Sequence, residues 1–277
     1  PPAEVEKPKS SDKKKRRKKK KKKAPVDERS PYVRELSEMI FDSSSFPAHI
    51  FEKNSASLTT GALSRTMLEI QSLADSLPSC LTEDSGIFLR TNDESLHLMK
   101  ALIVGPPGTP YSLGLFEFDI CIPNTYPNTP PLCKIATTGN QTFRFNPNLY
   151  ANGKVCLSLI GTWSGAPEEQ WDPKVSTLLQ VFISIQSLIL VENPYYNEPG
   201  YQFSANDVAN LDYNRNIQRG TTRLAILGQI RDKNSVFRDV IVAHCRHKKQ
   251  EILQQSKEWN LPDDLVKELA KELDALD

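Results

Sequence analysis

Phe145-Asn-Pro-Asn-Leu-Tyr-Ala-Asn-Gly-Lys-Val-Cys156-Leu-Ser-Leu159, running on to Trp171-Asp172-Pro173, is the stretch on which the rest of the chain converges. Asn146, Pro147, Asn148, Asn152 and Gly153 are turn formers, so the backbone ahead of Cys156 folds tightly. That folding brings the side-chain amide of Asn148 toward the sulfur of Cys156. A thiol open to solvent beside a fixed amide donor suits acyl transfer through a thioester, since it pairs a polarisable nucleophile with a dipole where negative charge develops. The competing reading is structural, because a free cysteine at the edge of an apolar run is most often a small buried hydrophobe.

Outward from that stretch, composition divides the chain. Its 277 residues hold one large domain with appendages or two modest ones. An apolar content of 38% is low for a globular chain, so part of it is expected to lack a core. Residues 13–23 are eleven consecutive Lys or Arg; removing them from the 35 basic residues leaves 24 against 34 acidic ones, a net of −10 for the remainder. Residues 1–30 therefore read as a disordered polybasic arm on an acidic body. Such a run suits nuclear import, a nucleic-acid or lipid-headgroup contact, or a plain solvated tail. No aromatic residue precedes Tyr32, which argues against base stacking and against a specific nucleic-acid partner.

Five cysteines, an odd number without a Cys-x-x-Cys pair, point to a reduced intracellular compartment, cytoplasmic or nuclear. No signal-peptide pattern and no long apolar run are seen, so no transmembrane segment is expected. His244, Cys245 and His247 sit too close along one helical pattern to converge on a metal, and neither metal nor cofactor is expected.

Residues 31–57 carry apolar side chains at helical spacing (Tyr32, Val33, Leu36, Met39, Ile40) and read as a docking segment or linker. A helix follows over 58–77, stopped by Pro78. Strands are expected at 87–90, 96–104, 115–122 and 132–137. The third alternates Phe116, Phe118, Ile120 and Ile122 with Glu117 and Asp119, the pattern of a strand with one solvated face. Asp172-Pro173 looks like a helix cap and first turn, ahead of a stripe from Leu178 to Ile189. Helical patterns over 206–231, 235–258 and 265–276 close the chain. One helix, sequential strands, then helices is an α+β order.

Asn-Pro-Asn, seven residues, then Cys-Leu-Ser-Leu resembles the active-site segment of ubiquitin-conjugating enzymes, with Asn146 where that family has His. Gly105-x-x-x-Thr109-Pro110-Tyr111-x-x-Gly114-x-Phe116, Pro123-x-x-Tyr126-Pro127-x-x-Pro130-Pro131 and Trp171-Asp172-Pro173 are similar to three further family motifs, in the same order. The insertion 163–170 and Glu192-Asn193-Pro194-Tyr195-Tyr196-Asn197-Glu198 resemble the branch in which the conjugating domain belongs to a giant fused conjugating enzyme and ligase. The resemblance implies the ubiquitin-conjugating fold, a four-stranded antiparallel meander with an N-terminal helix and C-terminal helices. That domain would occupy 58–235, with a C-terminal helical extension at 236–277.

It also implies a mechanism. Cys156 takes ubiquitin from an activating enzyme as a thioester, and a substrate lysine attacks it. Asn148 either donates to the oxyanion or holds the loop; Asn146, Pro147 and Tyr150 support the segment. Where the family carries an Asp to orient the lysine, this chain has Asn197 and Glu198, with Tyr195 or Tyr196 gating access. Partner contacts are implied for Arg65, Asn128, Trp163, Trp171 and Pro173. Two features depart from the family: the first helix has only Arg65 as a basic residue, and the apolar ligase anchor is replaced by Asn128. The first reduces charge steering toward the activating enzyme, so another surface is expected to compensate. The second fits an enzyme that acts as its own ligase, with further domains of a larger protein as partners. The rival reading is an inert conjugating fold that only binds, its basic arm touching nucleic acid or membrane.

Overall fold

Apolar strand segments between residues 87 and 121 build the centre of the fold. The computed structural model describes residues 29–46, 48–53, 57–202, 204 and 207–276, and the basic run at 13–23 lies outside them. Strands β2 (Ile87–Asn92), β3 (Leu98–Val104), β4 (Leu115–Cys121) and β5 (Leu132–Ile135) form the expected antiparallel meander. Ile103 lies opposite Phe116, and Phe118 opposite Ile135.

The sheet nevertheless has five strands rather than four. In 31–57 the helical spacing lasts only through α1 (Pro31–Ser37); the chain then turns and lays β1 (Phe41–Ser44) parallel to β2, with Phe41 opposite Leu89 and Ser44 opposite Asn92. The free edge of β2 would otherwise present unpaired backbone groups, and β1 covers it.

The polar face of β4 is not solvated either: Asp119 is 1% exposed. Lys100 on β3 reaches Glu117 at 2.8 Å and Asp119 at 2.6 Å, and the Ile50 N–H from the docked segment donates to Asp119 at 2.6 Å. On β2 the buried Arg90 donates to both carboxylate oxygens of Asp239, at 3.1 and 3.0 Å, and to the Met39 carbonyl at 2.9 Å. Alternation marks which face is polar, but not whether water or protein covers it. Here paired charges and hydrogen bonds make burial tolerable.

Helix α2 (Thr60–Ser76), capped by the Thr59 hydroxyl accepting from Ala62 N–H, and helix α3 (Leu178–Ser184) share the sheet's main hydrophobic cluster. A buried Glu69 joins them: its carboxylate accepts from Arg65 Nε, from the Tyr126 hydroxyl and, at 2.7 Å, from the Leu178 N–H. The helix therefore starts at Leu178 with Thr177 and Gln180 as its capping box, not at Asp172-Pro173. Asp172 instead closes a turn, accepting from Lys174 N–H at 2.8 Å, while its carbonyl accepts from Ser176 N–H.

Helix α4 (Val208–Gly220) continues through a π-helical stretch at Thr221–Gly228 into α5 (Gln229–Arg231); α6 (Arg238–His247), α7 (Lys249–Glu258) and α8 (Asp263–Asp274) follow. One hydrophobic cluster runs from Tyr32 to Leu273. Among the described residues no helix is long and apolar enough to cross a membrane.

Candidate active site

The turn between β3 and β4 reaches the cysteine segment through Tyr111. A Cβ on Gly105 would lie 1.9 Å from the Tyr111 carbonyl oxygen, so only glycine admits this close approach. The turn then aims the Tyr111 hydroxyl at the Phe145 carbonyl, 2.8 Å away. Phe145 is locked edge-on against Phe116 and Phe143, at 5.2 and 4.7 Å between rings.

Asn146 is fully buried and uses its whole amide. Its Nδ2 donates to the Ile189 carbonyl at 2.7 Å and to the Tyr111 oxygen at 3.1 Å. Its Oδ1 accepts from the Asn148 N–H at 2.8 Å and from Asn197 Nδ2 at 3.4 Å. A buried amide with four partners is a fixed structural post. Asn148 then grips the cysteine from both ends: the Cys156 N–H donates to the Asn148 carbonyl at 2.8 Å, and Asn148 Nδ2 donates to the Cys156 carbonyl at 3.0 Å. On the other side the Thr162 hydroxyl donates to the Val155 carbonyl at 2.7 Å and accepts from the Leu157 N–H at 3.0 Å.

Two expectations change here. The Asn148 amide serves the Cys156 carbonyl, not its sulfur, because the two residues flank the antiparallel bridge between Leu149 and Val155. The thiol is also closed: Cys156 is 1% exposed. Yet it is no ordinary core cysteine. Val155 and Leu157 belong to the main hydrophobic cluster, while Cys156 belongs to neither cluster, as alternation along extended backbone dictates. Burial pushes the thiols of Cys121 and Cys245 up, to about 11 and about 12, and raises Cys133 as well.

Asn197 ends a 3-10 turn, Pro194–Asn197, and also donates to the Leu188 carbonyl at 3.1 Å, which ties this loop to Asn146. Arg144 gathers the rest. It donates to the Asn146 and Pro147 carbonyls, lies 4.3 Å over the Tyr150 ring and pairs with Glu198 at 3.3 Å. Tyr195 stacks on Tyr201 at 4.6 Å, and the Tyr196 hydroxyl donates to Asp207 at 3.1 Å. Asn146, Pro147, Asn148, Tyr150, Cys156, Asn197 and Glu198 thus form one connected constellation, with Tyr195 and Tyr196 on its loop.

The remaining candidates stand elsewhere. Arg65 is held by Glu69 and, at 2.8 Å, by the Ser176 carbonyl. Trp171 Nε1 donates to the Pro127 carbonyl at 2.6 Å, and Asn128 is exposed on that same loop. Trp163 and Pro173 are half-buried. Tyr111, Arg144 and Thr162 were not singled out from the sequence. Tyr111 lies inside a recognised turn motif and Arg144 directly precedes the quoted stretch; nothing local marks Thr162.

Clefts of about 520 and 620 Å3 flank the constellation. The first runs from Leu157 to Glu168 and Leu188; the second is walled by Arg144, Pro147, Tyr195 and Tyr213. Among the described residues no three His, Cys, Asp or Glu side chains are grouped to hold a metal. His244 is tied to Tyr32 and Leu113, and His247 to Glu35.

A cysteine held by an Asn-Pro-Asn turn at the end of a four-strand meander defines a class of protein. The ubiquitin-conjugating enzyme family matches residues 65–220, and the chain belongs to that family. It is 46% identical over 212 residues, 75% of its length, to the human dual E2 ubiquitin-conjugating enzyme/E3 ubiquitin-protein ligase BIRC6. It is 37% identical over 253 residues, 85% of its length, to the probable ubiquitin-conjugating enzyme protein 17 of Caenorhabditis elegans. With the probable ubiquitin-conjugating enzyme E2 25 of Arabidopsis thaliana it shares 56% identity over 119 residues, 43% of the chain. The aligned part spans 4% of human BIRC6, 34% of the nematode protein and 19% of the plant protein.

Proposed function

We propose that Cys156 accepts the C-terminal acyl group of ubiquitin from an activating enzyme as a thioester and passes it to a substrate lysine. The observation that carries this reading is the grip of Asn148 on both ends of the Cys156 peptide unit, in a cysteine set apart from the hydrophobic clusters. In forming the thioester, the Cys156 sulfur attacks the incoming thioester carbonyl and the activating enzyme's thiolate leaves. In transfer, a lysine amine displaces the Cys156 thiolate and loses its proton. Asn197 and Glu198 are the loop members of the constellation: an amide there orients the amine, whereas a carboxylate takes its proton. Because the resting thiol is covered, loading requires the loops around Cys156 to part.

The similarity to a dual conjugating enzyme and ligase supports direct transfer to substrates, with further domains of a larger protein completing the ligase. Ubiquitin, its activating enzyme and substrate lysines are the partners of this reading. The deciding experiment incubates the chain with activating enzyme, ATP and ubiquitin, resolved on gels with and without reductant. A reductant-sensitive adduct that disappears in Cys156→Ala is expected; an adduct that survives the substitution refutes the assignment.

A further inference from the structure

Away from Cys156, two clefts adjoin. One, of about 470 Å3, has Pro107 and Leu113 in its wall and Asp84, Glu251 and Glu258 at its rim. The other, of about 270 Å3, continues from it through Gln255 and Glu258 to Glu192 and Trp259. Among the described residues no Lys or Arg lines either cleft. Lys248 lies 2.9 Å from Glu251 and 3.8 Å from Asp84 and offsets part of that charge. Glu258 and Glu192 keep theirs, and α7 ends at Glu258, where its carbonyls add a partial negative charge.

The described chain starts beside this groove. The same Lys248 Nζ lies 5.1 Å from the Tyr32 ring, and Tyr32 stands two residues after Ser30, the N-cap of α1. Lys23 precedes Ser30 by seven residues, a distance that extended backbone spans up to about 25 Å. Eleven consecutive Lys and Arg, residues 13–23, are thereby tethered next to a groove rimmed by carboxylates.

We propose that this basic run docks in cis along the groove. Its ammonium groups meet Glu258 and Glu192, its aliphatic stems cover Pro107 and Leu113, and the Trp259 indole faces a cation. Tethering sets an effective concentration near the millimolar range, so weak individual contacts suffice. Docked, the arm denies the groove to other basic segments, and salt releases it. The inference is independent of the thioester reading.

Carbodiimide coupling, which joins lysines to carboxylates in direct contact, tests it on the full chain. Isotope-labelled and unlabelled copies are mixed and the links mapped by mass spectrometry. Links within one copy from the lysines of 13–23 to Glu258 and Glu192 are expected. They should fall about tenfold in 0.5 M salt, and those to Glu258 should fall severalfold in the Glu192→Gln variant, which removes the neighbouring charge and leaves the Glu258 carboxylate in place. Thermal unfolding of that variant checks its fold; should it fail to fold, the salt arm on the unmodified chain decides. Links spread evenly over other acids such as Glu168 and Asp264, links only between differently labelled copies, or no links at all would each overturn the proposal.

Discussion

The Tyr32 hydroxyl donates to Nδ1 of His244 at 2.9 Å, joining side chains 212 positions apart in a fully buried contact. The second ring nitrogen, Nε2, donates to the Leu113 carbonyl at 3.2 Å, so the imidazole is neutral with its proton on Nε2. One histidine thereby pins the N-terminal segment, the turn after β3 and α6 together.

Burial pushes His244 down to about 4. Its unfolded value is near 6.5, so the folded value is depressed and the unfolded chain binds more protons between pH 6.5 and 4. The stability held by neutral His244 is complete above pH 6.5 and lost as pH falls through 4, about 3 kcal/mol in all. Urea unfolding across this window should show that slope, and His244→Gln should flatten it while lowering stability at pH 7. A variant with an unchanged slope would refute the coupling.

Asn148→Ala leaves the Cys156 carbonyl without its side-chain partner, an expected loss of about 1–3 kcal/mol of local stability. Because the amide faces a backbone carbonyl, ubiquitin loading and lysine discharge should slow together. Single-turnover assays separate the two steps. A drop in discharge alone, of about 10²-fold or more, would instead mark Asn148 as an oxyanion donor.

Glu69 joins α2, the Tyr126 loop and the start of α3 through three donors. Glu69→Ala strands the Leu178 N–H and leaves the Arg65 guanidinium without its counter-charge, and should cost about 3 kcal/mol or more in equilibrium unfolding. A loss under about 0.5 kcal/mol, the range of ordinary surface substitutions, would show the hub to be dispensable.

Thiol labelling tests the closed sulfur. Cys80 is half-buried, while Cys121, Cys133, Cys156 and Cys245 are buried. Iodoacetamide on the native chain should modify Cys80 first and Cys156 only after it, at the rate of loop opening. Mass spectrometry that finds Cys156 modified first would place its sulfur in solvent.

The turn ahead of Cys156 was readable in the sequence because it is local. Asn146, Asn148 and Cys156 lie within eleven residues, and their turn is dictated by Asn, Pro and Gly preferences that hold with little help from elsewhere. Tyr111, which holds Asn146 from 35 positions away, carries no such signal. The start of α3 was misplaced for the same reason: Asp172-Pro173 makes a sound local cap, but the carboxylate that meets the helix end is Glu69, 109 residues upstream.

Sequence alone determined the order of the four central strands and the main helices and the cysteine turn, since side-chain periodicity and turn chemistry act over a few residues, and the meander followed from the family resemblance. Only the tertiary structure decided that the charged face of the sheet is covered, that the N-terminal segment adds a fifth strand, and that the thiol is closed at rest. Those outcomes depend on which surfaces, far apart in the chain, find each other. A polar side chain such as Asp119 reads the same whether its partner is water or the Ile50 N–H and Lys100.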